Sequence, residues 1–210
     1  MKTYYLILIL LFGIMANQAN AQTYVIQTTK GDITVKLYDK TPLHQANFEQ
    51  LVEKQAYDSV LFHRVIQNFM IQTGDLSTRM SPISLESDET IPAEFVTEYI
   101  HKKGALAAAR TGDFVNPEKR SSPTQFYIVE GHPFSETQLD ALSTQTGRVY
   151  TEEEKEIYKT LGGTPHLDGA YTVFGEVTDG LNVVEAIGHV QTAPGDRPVE
   201  DIRILSVKKL

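Results

Sequence analysis

The chain has 210 residues, 41% hydrophobic and 22% charged, which suits one domain with a sizeable core and leaves too little polar bias for disorder. A net charge of -8, a sequence pI near 5.2 and the lack of any Lys/Arg-rich run argue against nucleic acid as a main partner. With no cysteine, disulfides, a thiol nucleophile, a lipidated cysteine and a cysteine-ligated metal are all excluded.

The first stretch, "MKTYYLILILLFGIMANQANA", has a basic Lys2, an apolar run from Tyr4 to Met15, and small residues at Ala19 and Ala21. This is the pattern of a secretory signal peptide cleaved before Gln22. The run of about 12 residues is short for a membrane span, which needs about 20. An uncleaved anchor is the alternative. The expectation is a signal peptide over 1–21 and one exported domain over 22–210, with no stable membrane insertion after cleavage.

"TYVIQTTKGDITVKLYD" then reads as two strands joined at Lys30-Gly31-Asp32, since Ile33, Val35 and Leu37 alternate with polar residues. Thr41-Pro42 offers an N-cap followed by proline at the first helical position. Leu43, Ala46, Leu51 and Val52 continue as a helical stripe to about Gln55. "FHRVIQNFMIQTGD" (Phe62 to Asp75) reads as two short strands with a turn near Gln67-Asn68, and Leu76 to Glu98 as a long polar loop. Gly104 to Ala109 is a run of small residues. Thr124–Val129, Tyr171–Val177 and the final "EDIRILSVKKL" read as strands, and Leu181–Ile187 as a short helix. Gly131 to Pro165 breaks the pattern as a helical insert, with capping-box pairs at Ser135/Gln138 and Thr151/Glu154 and glycines after the second helix. Many short strands punctuated by Gly and Pro predict an all-β fold, a closed antiparallel barrel.

The segment "FHRVIQNFMIQTGD" resembles the signature of the cyclophilins, the peptidyl-prolyl cis-trans isomerases, whose pattern reads roughly F-H-R-[IV]-I-x-x-F-[MV]-[IC]-Q-G-G-D. "GDITVKLYDKTPLHQANF", "IPAEF", "GALAAAR", "SPTQFYIV" and "HLDGAYTVFGEV" follow in the family's order. The resemblance implies an eight-stranded antiparallel barrel capped by two helices, with a peptide groove on its outer face. It implies a folding catalyst acting on proline-containing polypeptides, without cofactor or metal. Together with the signal peptide, it makes the periplasm the expected location.

Carried over by position, Arg64 takes the place of the catalytic arginine, and Phe69, Met70 and Gln72 the next groove positions. Ala109 matches the small groove residue, Gln125 and Tyr127 the facing strand, and Leu167 and Tyr171 the far wall of the proline pocket. Five positions depart from the family pattern. Tyr127 stands for phenylalanine, His166 for the tryptophan that binds cyclosporin, Tyr171 for histidine, Arg110 for asparagine and Thr73 for glycine. These changes bear on cyclosporin sensitivity rather than on the Arg-Phe-Met-Gln set.

The residues also speak for themselves. Strand alternation puts Phe62, Arg64 and Ile66 on one face and His63 and Val65 on the other. If the hairpin register aligns them, Arg64, Met70 and Gln72 converge as one cation, one soft apolar wall and one amide. That set suits gripping a prolyl peptide better than hydrolysis. The six histidines show no H-x-H or H-x-x-x-H spacing, so no zinc site is expected. A proline-peptide binding module with little turnover, or a chaperone role carried by the insert, are the rival readings.

Overall fold

A computed structural model describes residues 22–85 and 88–210; the expected signal peptide at 1–21 lies outside the described residues. Eight strands form one curled antiparallel sheet: β1 (Thr23–Thr28), β2 (Gly31–Leu37), β3 (Arg64–Ile66), β4 (Met70–Thr73), β5 (Ala105–Ala108), β6 (Phe126–Val129), β7 (Val173–Asp179) and β10 (Ile204–Lys209). Their order across the sheet is β10-β1-β2-β7-β5-β6-β4-β3. A separate two-stranded hairpin, β8 (Thr192–Ala193) with β9 (Arg197–Pro198), was not expected from the sequence.

The expected closed barrel is not what the ladder forms. Among the described residues the paired ladder stops at β3 and β10, leaving an open, curled half-barrel. The gap is crossed by backbone bonds outside the regular ladder, Phe62 N–H to Ile202 O at 2.9 Å and Ser59 N–H to Ile204 O at 2.8 Å. This crossing also decides where Phe62 points. Leu61 and Phe62 pair with Arg203 and Ile202, just ahead of β10, before the chain turns to pair with β4, so the alternation of β3 does not extend back to residue 62. Phe62 therefore packs in the core with Val65 and not on the face of Arg64.

Helices α1 (Pro42–Glu53) and α4 (Leu181–Gly188) add Phe48, Leu51, Val52, Val184 and Ile187 to the core enclosed by the sheet. The buried stripe of α1 is His44, Phe48, Leu51 and Val52; Leu43 and Ala46 point outward. Thr41 does not cap α1 with its side chain. Its hydroxyl donates to Tyr38 O, and the Leu43 and His44 N–H groups instead donate to the Glu94 carboxylate, both at 3.0 Å. A full negative charge at the positive end of a helix is a better partner than a hydroxyl. Glu94 also meets His44 Nδ1 at 2.6 Å, while His44 Nε2 lies 2.9 Å from Ser121 Oγ. With both ring nitrogens satisfied, histidine can take a core position.

Burial pushes the His44 imidazole below its usual value, partly opposed by Glu94. A base whose folded value is lowered favours the folded state above its unfolded pKa of about 6.5 and loses that contribution as pH falls through the folded value. Burial lowers His63 in the same way and acts oppositely on the carboxyl of Glu130, which it raises. The Tm is expected to fall as pH drops from about 7.5 to 5.5. In His44→Gln the slope should flatten, at a cost of about 1–3 kcal/mol from the disturbed buried bonds. An unchanged slope in that variant, read by calorimetry at several pH values, would refute the role given to His44.

Residues 131–165 leave the sheet and carry α2 (Glu136–Thr146) and α3 (Glu152–Thr160). Both expected capping boxes are present, at Ser135/Gln138 and Thr151/Glu154, and Gly147 ends α2 in the left-handed region. Leu139, Tyr150 and Tyr158 bury a small core of their own against Ile100.

Candidate active site

The hairpin of β3 and β4 turns at Gln67-Asn68, with Asn68 at φ 61°. Its register sets Arg64 opposite Gln72 and Ile66 opposite Met70. On the next pairings Gln72 faces Tyr127, and Tyr127 faces Ala107. Directly opposed residues project to the same side of a sheet, so Arg64, Gln72, Tyr127 and Ala107 form one row across four strands. The alternate residues Val65, Ile71, Phe126 and Ile128 go to the core.

Around this row lies an apolar cluster that contains Met70, Ala109 and Tyr127, with Phe69, Leu167 and Tyr171 partly buried against it. Gln72 Nε2 donates to Gln125 Oε1 at 3.0 Å, which fixes two amides beside the row. Every residue expected at the site thus falls in the row, the cluster or the amide pair. The turn that brings Phe69 over the cluster is held by Asn68 N–H donating to the buried Glu130 carboxylate at 2.7 Å.

The departures from the family pattern each have a partner. The Tyr127 hydroxyl lies 3.0 Å from His101 Nε2. The Arg110 guanidinium sits 4.4 Å over the Tyr171 ring, and its Nε donates to Ala170 O at 2.8 Å. Thr73 is fully buried and donates its hydroxyl to Leu61 O at 2.9 Å. His166 is exposed and stacks on Phe69 with ring centroids 5.7 Å apart.

Sequence reasoning missed Asp196. It sits in the turn between β8 and β9 with φ 62°, its carbonyl accepts from Val65 N–H at 2.7 Å, and its carboxylate lies 3.4 Å from Arg64 Nε. "APGDRP" carries turn chemistry in its Pro, Gly and Asp, which could have flagged the hairpin. Nothing local could aim that carboxylate at Arg64. Both side chains are near half exposed, so the pair adds little stability.

Chemically the site offers a guanidinium, two amides and an apolar patch. Burial holds the Tyr127 hydroxyl well above the usual phenol value, so it keeps its proton around neutral pH. Among the described residues no group of three or more His, Asp or Glu could hold a metal ion, and no helix is long and apolar enough to cross a membrane.

A family model described as "Cyclophilin type peptidyl-prolyl cis-trans isomerase/CLD" matches residues 23–209. A Staphylococcus saprophyticus protein named "Putative peptidyl-prolyl cis-trans isomerase" is 35% identical over 186 residues, covering 88% of this chain and 89% of that one. A Streptococcus pyogenes protein named "Putative bifunctional phosphatase/peptidyl-prolyl cis-trans isomerase" is 35% identical over 191 residues, but this chain spans only 37% of its length. Among solved structures, a Cryptosporidium parvum cyclophilin type peptidyl-prolyl cis-trans isomerase superposes with a TM-score of 0.67 at 22% identity, over 90% of this chain and 98% of that one. The same parasite protein crystallised in the presence of the dipeptide Ala-Pro gives 0.65 at 21% identity.

Proposed function

Because this chain belongs to the cyclophilin-type peptidyl-prolyl cis-trans isomerases, enzymes that act on proline-containing peptides, we propose that Arg64 and Gln72 are its catalytic residues. The proline and its flanking residues are held by Phe69, Met70, Ala109, Gln125, Tyr127, Leu167 and Tyr171. One observation carries this assignment: Arg64, Gln72 and Tyr127 stand in a single cross-strand row beside the apolar cluster.

Rotation about a peptide bond meets a barrier of about 18–20 kcal/mol because the twisted state loses amide resonance. X-Pro bonds have nearly balanced isomers, yet they interconvert over tens to hundreds of seconds without help. In the twisted state the prolyl nitrogen becomes pyramidal and regains a localised lone pair. The Arg64 guanidinium donates to that nitrogen, or to the rotating carbonyl, more strongly than to the planar ground state. This is differential binding of the transition state. Each ~1.4 kcal/mol of such preference is worth about tenfold in rate.

The apolar cluster holds the prolyl ring still, and the Gln72–Gln125 amide pair holds a flanking carbonyl. No proton is transferred and no covalent bond forms. Arginine suits the role because its planar fork keeps both charge and direction, where lysine offers a point charge. The test is exchange-NMR line broadening of an X-Pro peptide by residues 22–210, wild type beside Arg64→Ala.

The substrates are, on this reading, other exported chains, met in the periplasm after cleavage of residues 1–21. The basic, apolar and small-residue order of that segment supports export. Mass spectrometry of the exported protein should give a chain beginning at Gln22. A protein retained with its full N-terminus would count against export by this route.

A further inference from the structure

A chain of buried hydrogen bonds runs from the site into the 131–165 excursion. It begins at the Tyr127 hydroxyl, 3.0 Å from His101 Nε2. His101 Nδ1 lies 2.8 Å from Asp168 Oδ1, and the His101 N–H donates to the same oxygen at 2.8 Å. The other carboxylate oxygen of Asp168 accepts from the Tyr158 hydroxyl at 2.7 Å and lies 3.6 Å from Arg148 Nε. His101 and Tyr158 are 0% exposed, Tyr127 4%, and the Asp168 side chain 1%.

Tyr158 belongs to α3 and Arg148 to the segment between α2 and α3, so one end of the chain of bonds lies in the excursion and the other beneath the site. The proton order follows from what each group can do. A carboxylate only accepts, so the proton between His101 and Asp168 sits on Nδ1, and in the neutral imidazole Nε2 accepts from Tyr127. Burial keeps the protons on both tyrosines, raising each above the usual phenol value. Each bond therefore has a single direction.

A second limb reinforces the first. Tyr150 donates its hydroxyl to Pro165 O at 2.9 Å, holding the short turn Pro165–Leu167 that carries Leu167. The backbone is fitted to this arrangement at Gly163. A Cβ there would lie 2.3 Å from His101 O and 2.7 Å from the Tyr158 ring, so only glycine lets the two segments come this close.

We propose that the excursion is part of the isomerase site, with Tyr158, Asp168 and His101 acting as positioning residues that hold the Tyr127 ring under the substrate proline. The inference rests on the reading that Tyr127 and Leu167 line the proline site. It gives the Tyr127 hydroxyl a purpose, since a phenylalanine could not be tethered from below.

The test measures kcat by exchange NMR and peptide Kd by titration for wild type, Arg64→Ala, Tyr158→Phe, Tyr127→Phe and the double tyrosine variant. Tyr158→Phe is expected to lower kcat about 5–10-fold, that is roughly 1–1.4 kcal/mol, with Kd changed less than twofold. Because both hydroxyls act through one chain of bonds, the double variant should be no slower than the slower single variant. If Arg64→Ala is as active as wild type, the site itself has been misread. If Arg64→Ala is inactive while Tyr158→Phe keeps wild-type kcat, or the two tyrosine losses multiply, only the positioning inference fails.

A measurement on the unsubstituted protein guards against a variant that does not fold. The His101 ring nitrogens should show the Nδ1–H tautomer in long-range proton–nitrogen spectra, and should shift when an X-Pro peptide saturates the site. The other tautomer, or resonances that ignore the peptide, would overturn the inference.

Discussion

Arg64→Ala should lower kcat/KM for X-Pro rotation by about 100- to 1,000-fold, the usual loss when one donor aimed at a transition state is removed. The fold should hardly notice. The Arg64 side chain is 43% exposed and its pair with Asp196 is long at 3.4 Å, so the stability change should stay below about 1 kcal/mol. Peptide affinity should fall much less than kcat, because the apolar cluster remains and because an interaction made in the twisted state contributes little to the planar one. Arg64→Lys should recover only part of the rate, since the point charge lacks the planar fork. Exchange NMR measures the rate, and circular dichroism checks the fold. A folded Arg64→Ala keeping a third or more of wild-type turnover would rule out arginine stabilisation as the source of catalysis.

Gly74→Ala should destabilise the protein by about 3 kcal/mol or more, placing it in the tail of single-substitution effects. Gly74 has φ +88°, a conformation that costs an L-residue about 1–2 kcal/mol. A Cβ there would stand 2.2 Å from Thr124 O and 2.8 Å from Gln125 Cα. Both are backbone atoms, so no side chain can swing aside and a strand end must move. The strand end at risk carries Gln125, which is bonded to Gln72. Turnover per folded molecule should therefore fall as well. Urea unfolding gives the first quantity and NMR exchange corrected for the folded fraction gives the second. A midpoint shift worth less than about 0.5 kcal/mol would show that the 124–125 backbone yields easily.

Elements governed by local rules were legible in the sequence. The alternation of Ile33, Val35 and Leu37, the two capping boxes, and the β3–β4 turn at Asn68 depend on neighbours within a few residues. The convergence of Arg64 and Gln72 needed only the hairpin register. Wherever a distant group outbids a near one, the local reading went astray. Glu94 takes the place of the Thr41 side chain at the start of α1, and His44, bonded at both ring nitrogens, lies buried while Leu43 faces water. Ile202 draws Phe62 into the core against the alternation of β3. Asp196 and the His101–Asp168 pair were invisible for the same reason: their importance lies in partners that folding alone brings near.

The strand order has a consequence for how the molecule assembles over time. β1 lies between β2, its neighbour in sequence, and β10, where Tyr24 pairs with Lys209. The hairpins β1–β2 and β3–β4 can form within about 10 μs, since each closes a short loop. Seating β10 must first overcome the entropy of closing nearly the whole chain. Sheets dominated by such distant pairings fold in roughly milliseconds to seconds. Until that last strand arrives, β1 keeps an unpaired edge on which another unfinished chain could pair.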